Sequence, residues 1–126
     1  MTKGTYVDGF VIPVPKKNTA KYKKMAQDAK EIWMKFGALD YKECMIDDVK
    51  PQHVALSFPQ MAKTKPGEAV WFSFIVFKSK AHRNKVNARV MKDSLMNEDA
   101  WKDKPMPFDM KKLAYGGFKA IVEEVK

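Results

Sequence analysis

Residues 70–77 read Val-Trp-Phe-Ser-Phe-Ile-Val-Phe, which is the most informative segment of the chain for its architecture. Successive side chains of a β-strand point to opposite faces of its sheet. Trp71, Ile75 and Phe77 point one way. The side chains that point the opposite way are those of Val70, Phe72, Phe74 and Val76. Both faces of this strand are therefore apolar, and a strand of this kind has to be covered on both sides.

The pattern around this strand predicts four strands and two helices in one α+β domain spanning residues 1–126. Apolar residues spaced by three and four predict an amphipathic helix over 19–36, with Asn18 as its N-cap and Gly37 as its stop. Ser79 is the expected N-cap of a second helix, which begins at Lys80 and ends near Leu95. Strands are predicted at 5–14, 39–47, 70–78 and 114–125.

Two connections interrupt this order. Residues 48–68 are predicted to be irregular, with the alternative of a short extra strand over 53–58. Residues 97–113 form a connection that is too long for a simple turn, which makes it a candidate lid or arm.

The resulting order, β-α-β, loop, β-α-β, is that of the split βαβ or ferredoxin-like arrangement with an antiparallel sheet. Right-handed crossovers place both helices on one face of such a sheet. The other face would then expose the second apolar set of residues 70–77, and soluble monomers avoid large exposed apolar patches. We therefore expect a homodimer in which two sheets pack face to face.

The composition is that of a soluble globular protein, with 45% hydrophobic and 31% charged residues. No apolar run is long enough to cross a membrane, the N-terminus leaves no room for a signal peptide, and the single cysteine excludes an internal disulfide. These features predict a cytoplasmic protein with no membrane partner. The net charge of +9 raises nucleic-acid binding as an alternative. Scattered lysines and the lack of a recognisable nucleic-acid module disfavour that function.

Several motifs occur together in a specific order. Tyr-Val-Asp-Gly-Phe-Val-Ile-Pro-Val-Pro opens the chain at 6–15, followed by Gly-Ala-Leu at 37–39 and Ser-Phe-Pro at 57–59. Lys-Ser-Lys-Ala-His-Arg at 78–83 leads to Val-Asn at 86–87 and Val-Met at 90–91. Met-Pro-Phe-Asp at 106–109 and Tyr-Gly-Gly-Phe at 115–118 close the chain. In these motifs the chain resembles the YbaA-like family, a set of small bacterial domains of unknown function.

This resemblance covers nearly the whole chain and implies a dimeric α/β barrel, in agreement with the sheet-on-sheet dimer expected above. Barrels of this kind also resemble antibiotic-biosynthesis monooxygenases and haem-degrading enzymes. That second resemblance is one of fold, and fold alone does not determine function. The Asn, Trp and His of the haem-degrading enzymes do not map onto this chain, so no cofactor is predicted.

Asp8 is the first candidate for chemistry, because its neighbours on the same strand face are apolar (Tyr6, Phe10 and Ile12). A carboxylate in such surroundings suits general acid or base catalysis unless it is paired. The alternative is a structural ion pair or an edge position.

Arg83 and Asn87 are spaced i, i+4 on the second helix and share a face with Val86 and Val90, so both side chains look toward the sheet. One interpretation is structural, with Arg83 as the counter-charge of Asp8. The other is that they line a cleft between helix and sheet and hold a carboxylate or carbonyl of a ligand.

His82 and Tyr115 are weaker candidates. His82 lies in the first turn of the second helix and is either an acid, base or ligand to a cofactor or a partly exposed surface residue. Tyr115 either supplies a hydroxyl to a pocket or is a packing residue whose hydroxyl faces solvent. Gly116-Gly117 is expected to permit a bulge or a close backbone approach. No histidine, cysteine and acid combination has a metal-ligand spacing, so we expect no tightly bound metal.

Two classes of function follow. The first is a binding module, in which a pocket between sheet and helices takes a small organic molecule with Arg83, Asn87 and Tyr115 as its ligand-binding residues. The second is a monooxygenase- or isomerase-like enzyme of the dimeric α/β-barrel type, in which Asp8, Arg83 and Asn87 surround an apolar substrate. Asp8 and His82 are its candidate catalytic residues. The lack of a complete catalytic constellation favours the binding module.

Overall fold

The computed structural model describes residues 5–93 and 105–126 of the protein. These residues form seven helices and strands. They are β1 (Tyr6–Pro15), α1 (Thr19–Lys35), β2 (Asp40–Met45), α2 (Phe58–Met61), β3 (Glu68–Phe77), α3 (Lys80–Lys92) and β4 (Ala114–Lys119). Short 3₁₀ turns precede α1 at Lys16–Asn18 and β4 at Met110–Lys112. The predicted succession of strands and long helices is confirmed, and α2 is an addition to it.

The strands form one antiparallel sheet in the order β2-β3-β1-β4. β3 is an interior strand, paired with β1 on one side and with β2 on the other. Asp8, Ile75 and Tyr41 lie opposite one another across these three strands. The predicted antiparallel α+β sheet is confirmed, and the interior place of β3 agrees with the two apolar faces of residues 70–77.

α1 and α3 pack on one face of the sheet, called the inner face below. Ile32 of α1 and Val86 and Val90 of α3 share a buried cluster with Ile75 and Phe77 of β3. A second buried cluster joins α1 to β1 and β3, and its members are Ile12, Val14, Tyr22, Ala26 and Trp71. Full burial of each large aliphatic or aromatic side chain stabilises this layer by about 1.5–3 kcal/mol.

The opposite, outer face of the sheet carries exposed aromatic side chains. Phe72 and Phe118 on this face are 43% and 61% exposed. Phe118 lies opposite Val7 in the β1–β4 ladder, so the apolar surface continues across the sheet. The short helix α2 reaches its border, where the Phe58 ring contacts the Phe72 ring edge-on at 6.1 Å between centroids. Within the described part of the chain, the long helices cover one face and leave apolar side chains exposed on the other.

The alternative of a short strand over 53–58 is wrong. His53 has a φ of 65°, which lies outside the extended region, and the chain enters α2 at Phe58. The Ser57 Oγ accepts a hydrogen bond from the Gln60 backbone N–H at 3.3 Å, and the Gln60 Oε1 accepts one from the Ser57 N–H at 2.9 Å. This reciprocal pair is a capping box, which starts a helix and not a strand.

The two long helices begin differently. Ser79 caps α3 as predicted, since its Oγ accepts from the His82 N–H at 3.1 Å. Asn18 occupies the N-cap position of α1 as predicted, but its side chain accepts no capping hydrogen bond. Its Nδ2 donates to the Pro107 carbonyl at 2.9 Å. Asn18 instead ties the segment 105–113 to the start of α1. Gly37 ends this helix as predicted, with a φ of 114° that favours glycine.

The last strand is shorter than predicted, because it ends at Lys119 and not at 125. Lys119 lies opposite Tyr6, the first residue of β1, and beyond that pair the Ala120 N–H donates to the Thr5 carbonyl at 2.9 Å. Ile121, Val122 and Val125, which follow Ala120, are 81%, 95% and 84% exposed. α3 ends at Lys92, earlier than predicted, and Asp93 has an extended backbone conformation. Leu95, near which the end was predicted, and the first part of the 97–113 connection lie outside the described residues.

Candidate functional site

A cavity of about 670 Å³ lies between the inner face of the sheet and the elements that cover it. Pockets for small organic molecules typically have about 300–1,000 Å³. The sheet contributes Asp8, Phe10, Ile12, Tyr41, Glu43, Ser73, Ile75 and Tyr115 to the lining. α1 contributes Tyr22, Met25, Ala26, Ala29 and Trp33, and α3 contributes Asn87 and Met91. The segment before β4 adds Met106, Phe108, Met110 and Leu113.

The room in this cavity comes from the pattern of α1. Tyr22, Ala26, Ala29 and Trp33 are spaced by four, three and four residues, so they lie on one side of the helix. The two aromatic rings mark the ends of this stripe, while the alanines between them leave space that larger side chains would fill. The amphipathic spacing that predicted the helix thus also forms one wall of the cavity.

Asp8 lies in the floor of the cavity and is 2% exposed. Its Oδ1 accepts a hydrogen bond from the Tyr115 hydroxyl at 3.0 Å, and the Arg83 Nη1 lies 3.8 Å from the same oxygen. Arg83 Nη1 also donates to the Tyr115 hydroxyl at 3.0 Å. The structure therefore brings three of the candidate residues together in one network. Arg83 is the counter-charge of Asp8, as the structural interpretation predicted. The alternative that Arg83 lines the cleft is wrong, because Arg83 is not among the residues that line the cavity.

Tyr6 holds Arg83 from the other side. The Arg83 Nη2 donates to the Tyr6 hydroxyl at 3.2 Å, and the guanidinium carbon lies 4.9 Å from the centre of the Tyr6 ring. A glycine is required beside this tyrosine, since a Cβ at Gly117 would lie 2.4 Å from the Tyr6 hydroxyl. The predicted close approach at Gly116-Gly117 is confirmed. The predicted alternative of a bulge is wrong, because the β1–β4 register is continuous through both glycines.

Tyr115 acts as a hydrogen-bond donor to Asp8 in this network. Burial, together with its bond to the Asp8 carboxylate, raises the pKa of Tyr115. The hydroxyl consequently keeps its proton at neutral pH. Its ring packs against Phe10 at 5.0 Å between centroids, and the same side chain lines the cavity.

The remaining two candidates occupy different places. Asn87 lines the cavity from α3, and its Oδ1 accepts a hydrogen bond from the Trp33 Nε1 at 3.0 Å. His82 lies outside the cavity lining. Its Nδ1 accepts from the Lys78 N–H at 3.0 Å, so this histidine belongs to the start of α3. Burial and the positive charges of neighbouring lysine and arginine side chains lower the pKa of His82.

A second polar centre in the cavity, which the sequence analysis missed, is Glu43 on β2. Its Oε1 accepts from the Tyr22 hydroxyl at 2.8 Å, and its Oε2 accepts from the Tyr41 hydroxyl at 2.7 Å. Burial and the Glu43 charge raise the pKa of both tyrosines above the usual range, so both phenols stay protonated and donate. The sequence does hold a signal for this site that was not used: Tyr41 and Glu43 are two residues apart, which places them on one strand face.

The segment 105–113 forms the remaining wall. Besides the Asn18 bond to Pro107, the Phe108 ring contacts the Tyr22 ring edge-on at 5.7 Å between centroids. The described part of the predicted lid or arm therefore covers the cavity beside the start of α1. Residues 97–104 of that connection are outside the described part, and its movement stays a prediction.

Residues 5–93 and 105–126 contain no group of three or more His, Cys, Asp and Glu side chains placed to hold a metal ion. None of their helices combines the length and the apolar character needed to cross a membrane.

Comparison with known proteins gives a family match along most of the chain. Residues 5–110 match the family described as "Protein of unknown function (DUF1428)". Similar proteins include the "Uncharacterized protein YbaA" of Escherichia coli strain K12, of Escherichia coli O157:H7 and of Shigella flexneri. Each is 40% identical over 119 residues, which cover 94% of this chain and 98% of the relative. The YbaA-like resemblance inferred from the motifs is confirmed.

Proposed function

This chain belongs to the DUF1428 family of proteins of unknown function, and from its geometry we propose that it binds a small, mainly apolar organic molecule between its sheet and helices. The observation that carries the proposal is the cavity of about 670 Å³, because a well-packed domain of this size leaves few voids larger than a water molecule. Its wall is largely aromatic and aliphatic, with polar groups concentrated at two carboxylates, Asp8 and Glu43. This combination is typical of ligand pockets, in which a few polar groups orient an otherwise apolar molecule.

The methionines of the cavity fit this role. Met25, Met91, Met106 and Met110 come from three separate elements of the wall. Methionine side chains are unbranched and polarizable, so they adapt to the shape of a bound molecule. The pocket therefore accommodates ligands that differ in shape, provided that they are largely apolar.

A filled-cavity variant tests this proposal. Ala29 lines the cavity, whereas Ala20 lies on the same helix and is exposed, so Ala29→Phe and Ala20→Phe form a matched pair. Nile red, a neutral dye whose fluorescence rises in apolar surroundings, serves as the probe. We expect the wild type and Ala20→Phe to bind the dye with similar affinity. Ala29→Phe should bind it at least tenfold more weakly. Equal binding by all three proteins would place the dye outside the cavity and contradict the proposal.

The second candidate function is an isomerase- or monooxygenase-like enzyme, and the specific observation that favours it is the place of Asp8. This carboxylate lies in the cavity wall, and its hydrogen bond from Tyr115 and its ion pair with Arg83 hold it in a fixed orientation. Such a group would take a proton from a carbon atom beside a carbonyl and return it to another atom of the same molecule. His82 has no part in this reaction, since it lies outside the cavity lining.

Proton abstraction from carbon can be observed directly. In deuterated water, an acid–base enzyme of this kind would place deuterium on the carbons beside the carbonyl of benzylacetone. Asp8→Asn should abolish that exchange and leave Nile red binding in place. Exchange at the same rate with Asp8→Asn, or no exchange with the wild type, would remove this candidate and leave the binding module.

The finer architecture proposed is a ferredoxin-like protomer that pairs as a dimeric α/β barrel. The β-α-β, β-α-β order and the strand order β2-β3-β1-β4 support the ferredoxin-like description. The exposed Phe72 and Phe118 support pairing through the outer faces of two sheets. Phe118→Lys would place like charges in that interface and should convert a dimer into monomers in sedimentation at micromolar concentration. Wild-type protein that sediments as a monomer would refute the dimer.

A further inference from the structure

The charge of the cavity wall is unbalanced at Glu43. Its carboxylate accepts hydrogen bonds from Tyr22 and Tyr41, and phenol hydroxyls disperse a negative charge without cancelling it. Within residues 5–93 and 105–126, no lysine, arginine or histidine nitrogen forms an ion pair with Glu43. An ionised carboxylate accepts up to about four hydrogen bonds, so this group keeps acceptor capacity beyond the two phenols.

Arg83 does not supply the missing charge. It pairs with Asp8, which lies two strands away from Glu43 and two residues further along the sheet. Strands are about 4.8 Å apart and rise about 3.4 Å per residue, so the Cα atoms of the two acids are about 12 Å apart. Asp8 and Glu43 are the charged residues of the described lining, and Arg83, which is not itself a lining residue, balances only Asp8, so a net charge of −1 remains at the cavity.

The surroundings of Glu43 suit an organic cation. Tyr22, Tyr41, Trp33 and Phe108 all line the cavity, with the Trp33 and Tyr41 ring centres 6.4 Å apart and those of Tyr22 and Phe108 5.7 Å apart. Aromatic faces attract cations through their quadrupoles, and the attraction grows when the cation is withdrawn from water. A carboxylate beside several such rings combines an ion-pair partner with an apolar site for the carbon skeleton.

We infer that the cavity selects an apolar molecule with a protonated amine, and that the ammonium group binds Glu43 among the neighbouring aromatic rings. This inference rests on the proposed binding function and adds the chemical class of the ligand. The Asp8–Tyr115–Arg83 network at the other end then faces the apolar or carbonyl-bearing part of the molecule.

Three probes with the same carbon skeleton test the class of ligand. Phenylbutylamine, phenylbutanol and phenylbutyrate carry a cation, a neutral hydroxyl and an anion, and each can be titrated against wild-type protein by calorimetry. A hydrogen bond to a charged partner exceeds a neutral one by enough to predict that the amine binds at least about tenfold tighter than the alcohol. The anion should bind least tightly of the three.

The Glu43→Gln variant locates that preference, because glutamine keeps the shape and one acceptor oxygen but removes the charge. In this variant the ratio of the amine affinity to the alcohol affinity should fall to about one. Asp40→Asn is the matched control: it removes a charge from the same strand, at a residue that pairs with Lys42 outside the cavity lining, and should keep the wild-type ratio. Should Glu43→Gln fail to fold, the wild-type ranking of the three probes decides alone.

The outcomes separate the inference from the function on which it rests. Equal binding of the three probes to the wild type, tighter binding of the anion, or an unchanged ratio in Glu43→Gln overturns the inference and leaves the cavity as a binding site. Absence of binding by every probe overturns both.

Discussion

Replacing Arg83 with methionine removes the counter-charge of a carboxylate that is only 2% exposed. The Arg83 Nη1 lies 3.8 Å from the Asp8 Oδ1. With an effective dielectric constant of about 20, two unit charges at that distance attract each other by about 4 kcal/mol. Removing one partner of a buried pair costs about 3–5 kcal/mol in measured cases, because the other charge stays desolvated. The bond from Tyr115 remains in the variant, so we expect a loss of about 3 kcal/mol in the free energy of unfolding.

Urea unfolding followed by tryptophan fluorescence measures this loss, at one protein concentration because an oligomer's stability depends on it. The same substitution in an Asp8→Asn background supplies the control. There the carboxylate charge is already absent, so Arg83→Met should cost about 1 kcal/mol, and the difference between the two backgrounds is the coupling energy. Equal costs in both backgrounds would show that Arg83 does not stabilise the Asp8 charge. A loss below about 1 kcal/mol in the wild-type background would show the same.

The remaining predictions concern the two tyrosines that donate to Glu43 and the glycine that packs against Tyr6. Because the folded state raises the pKa of Tyr22 and Tyr41, their contribution to stability is complete below about pH 10, the unfolded value, and is lost as the pH rises above it. Melting temperatures measured on either side of that value should therefore fall more steeply for the wild type than for the Tyr22→Phe/Tyr41→Phe variant, and parallel curves would contradict the assignment. Gly117→Ala would bring a methyl group within 2.4 Å of the Tyr6 hydroxyl, while a Cβ at Gly116 would meet only the exposed Phe118 ring at 3.2 Å. We expect a loss of about 1–3 kcal/mol for Gly117→Ala in urea unfolding and a smaller loss for Gly116→Ala, and the reverse order would show that Tyr6 is free to move.

The fold was predictable where its signals are local. The two-faced apolar run at 70–77 predicted the interior strand, and the three-and-four spacing from Tyr22 to Trp33 predicted α1. Both signals depend on the alternation of side chains along one element, which sequence records directly. Gly37 and Ser79 were found for the same reason, because their roles at helix ends are set within a few residues.

Boundaries that depend on distant partners were not predictable in this way. The extent of β4 depends on its pairing with β1, which runs as far as Tyr6 and Lys119, so the apolar residues after Lys119 misled the prediction of a longer strand. Asn18 occupies the predicted N-cap position, but its side chain makes no capping bond, and its Nδ2 donates to the carbonyl of Pro107, which is 89 residues away in sequence. Ser57 and Gln60 are the exception, since their capping-box spacing was available in the sequence and was overlooked.

The candidate site was predictable in part. Asp8 and Arg83 stood out because each is a charge on an apolar face, and two such charges on facing elements are expected to pair. Glu43 was missed because it lies in a strand with polar neighbours, where an acid is normally exposed. Its two phenol partners come from α1 and from its own strand, so only the packing of α1 on β2 makes it part of the cavity.

The most direct test of the account is a crystal structure of the protein grown with phenylbutylamine. We expect the phenyl ring to lie in the cavity between α1 and the sheet, near Trp33, with the nitrogen within hydrogen-bond distance of the Glu43 carboxylate. A probe bound on the outer face of the sheet would contradict it. A cavity filled by the protein's own methionine and tryptophan side chains, with no probe inside, would contradict it as well.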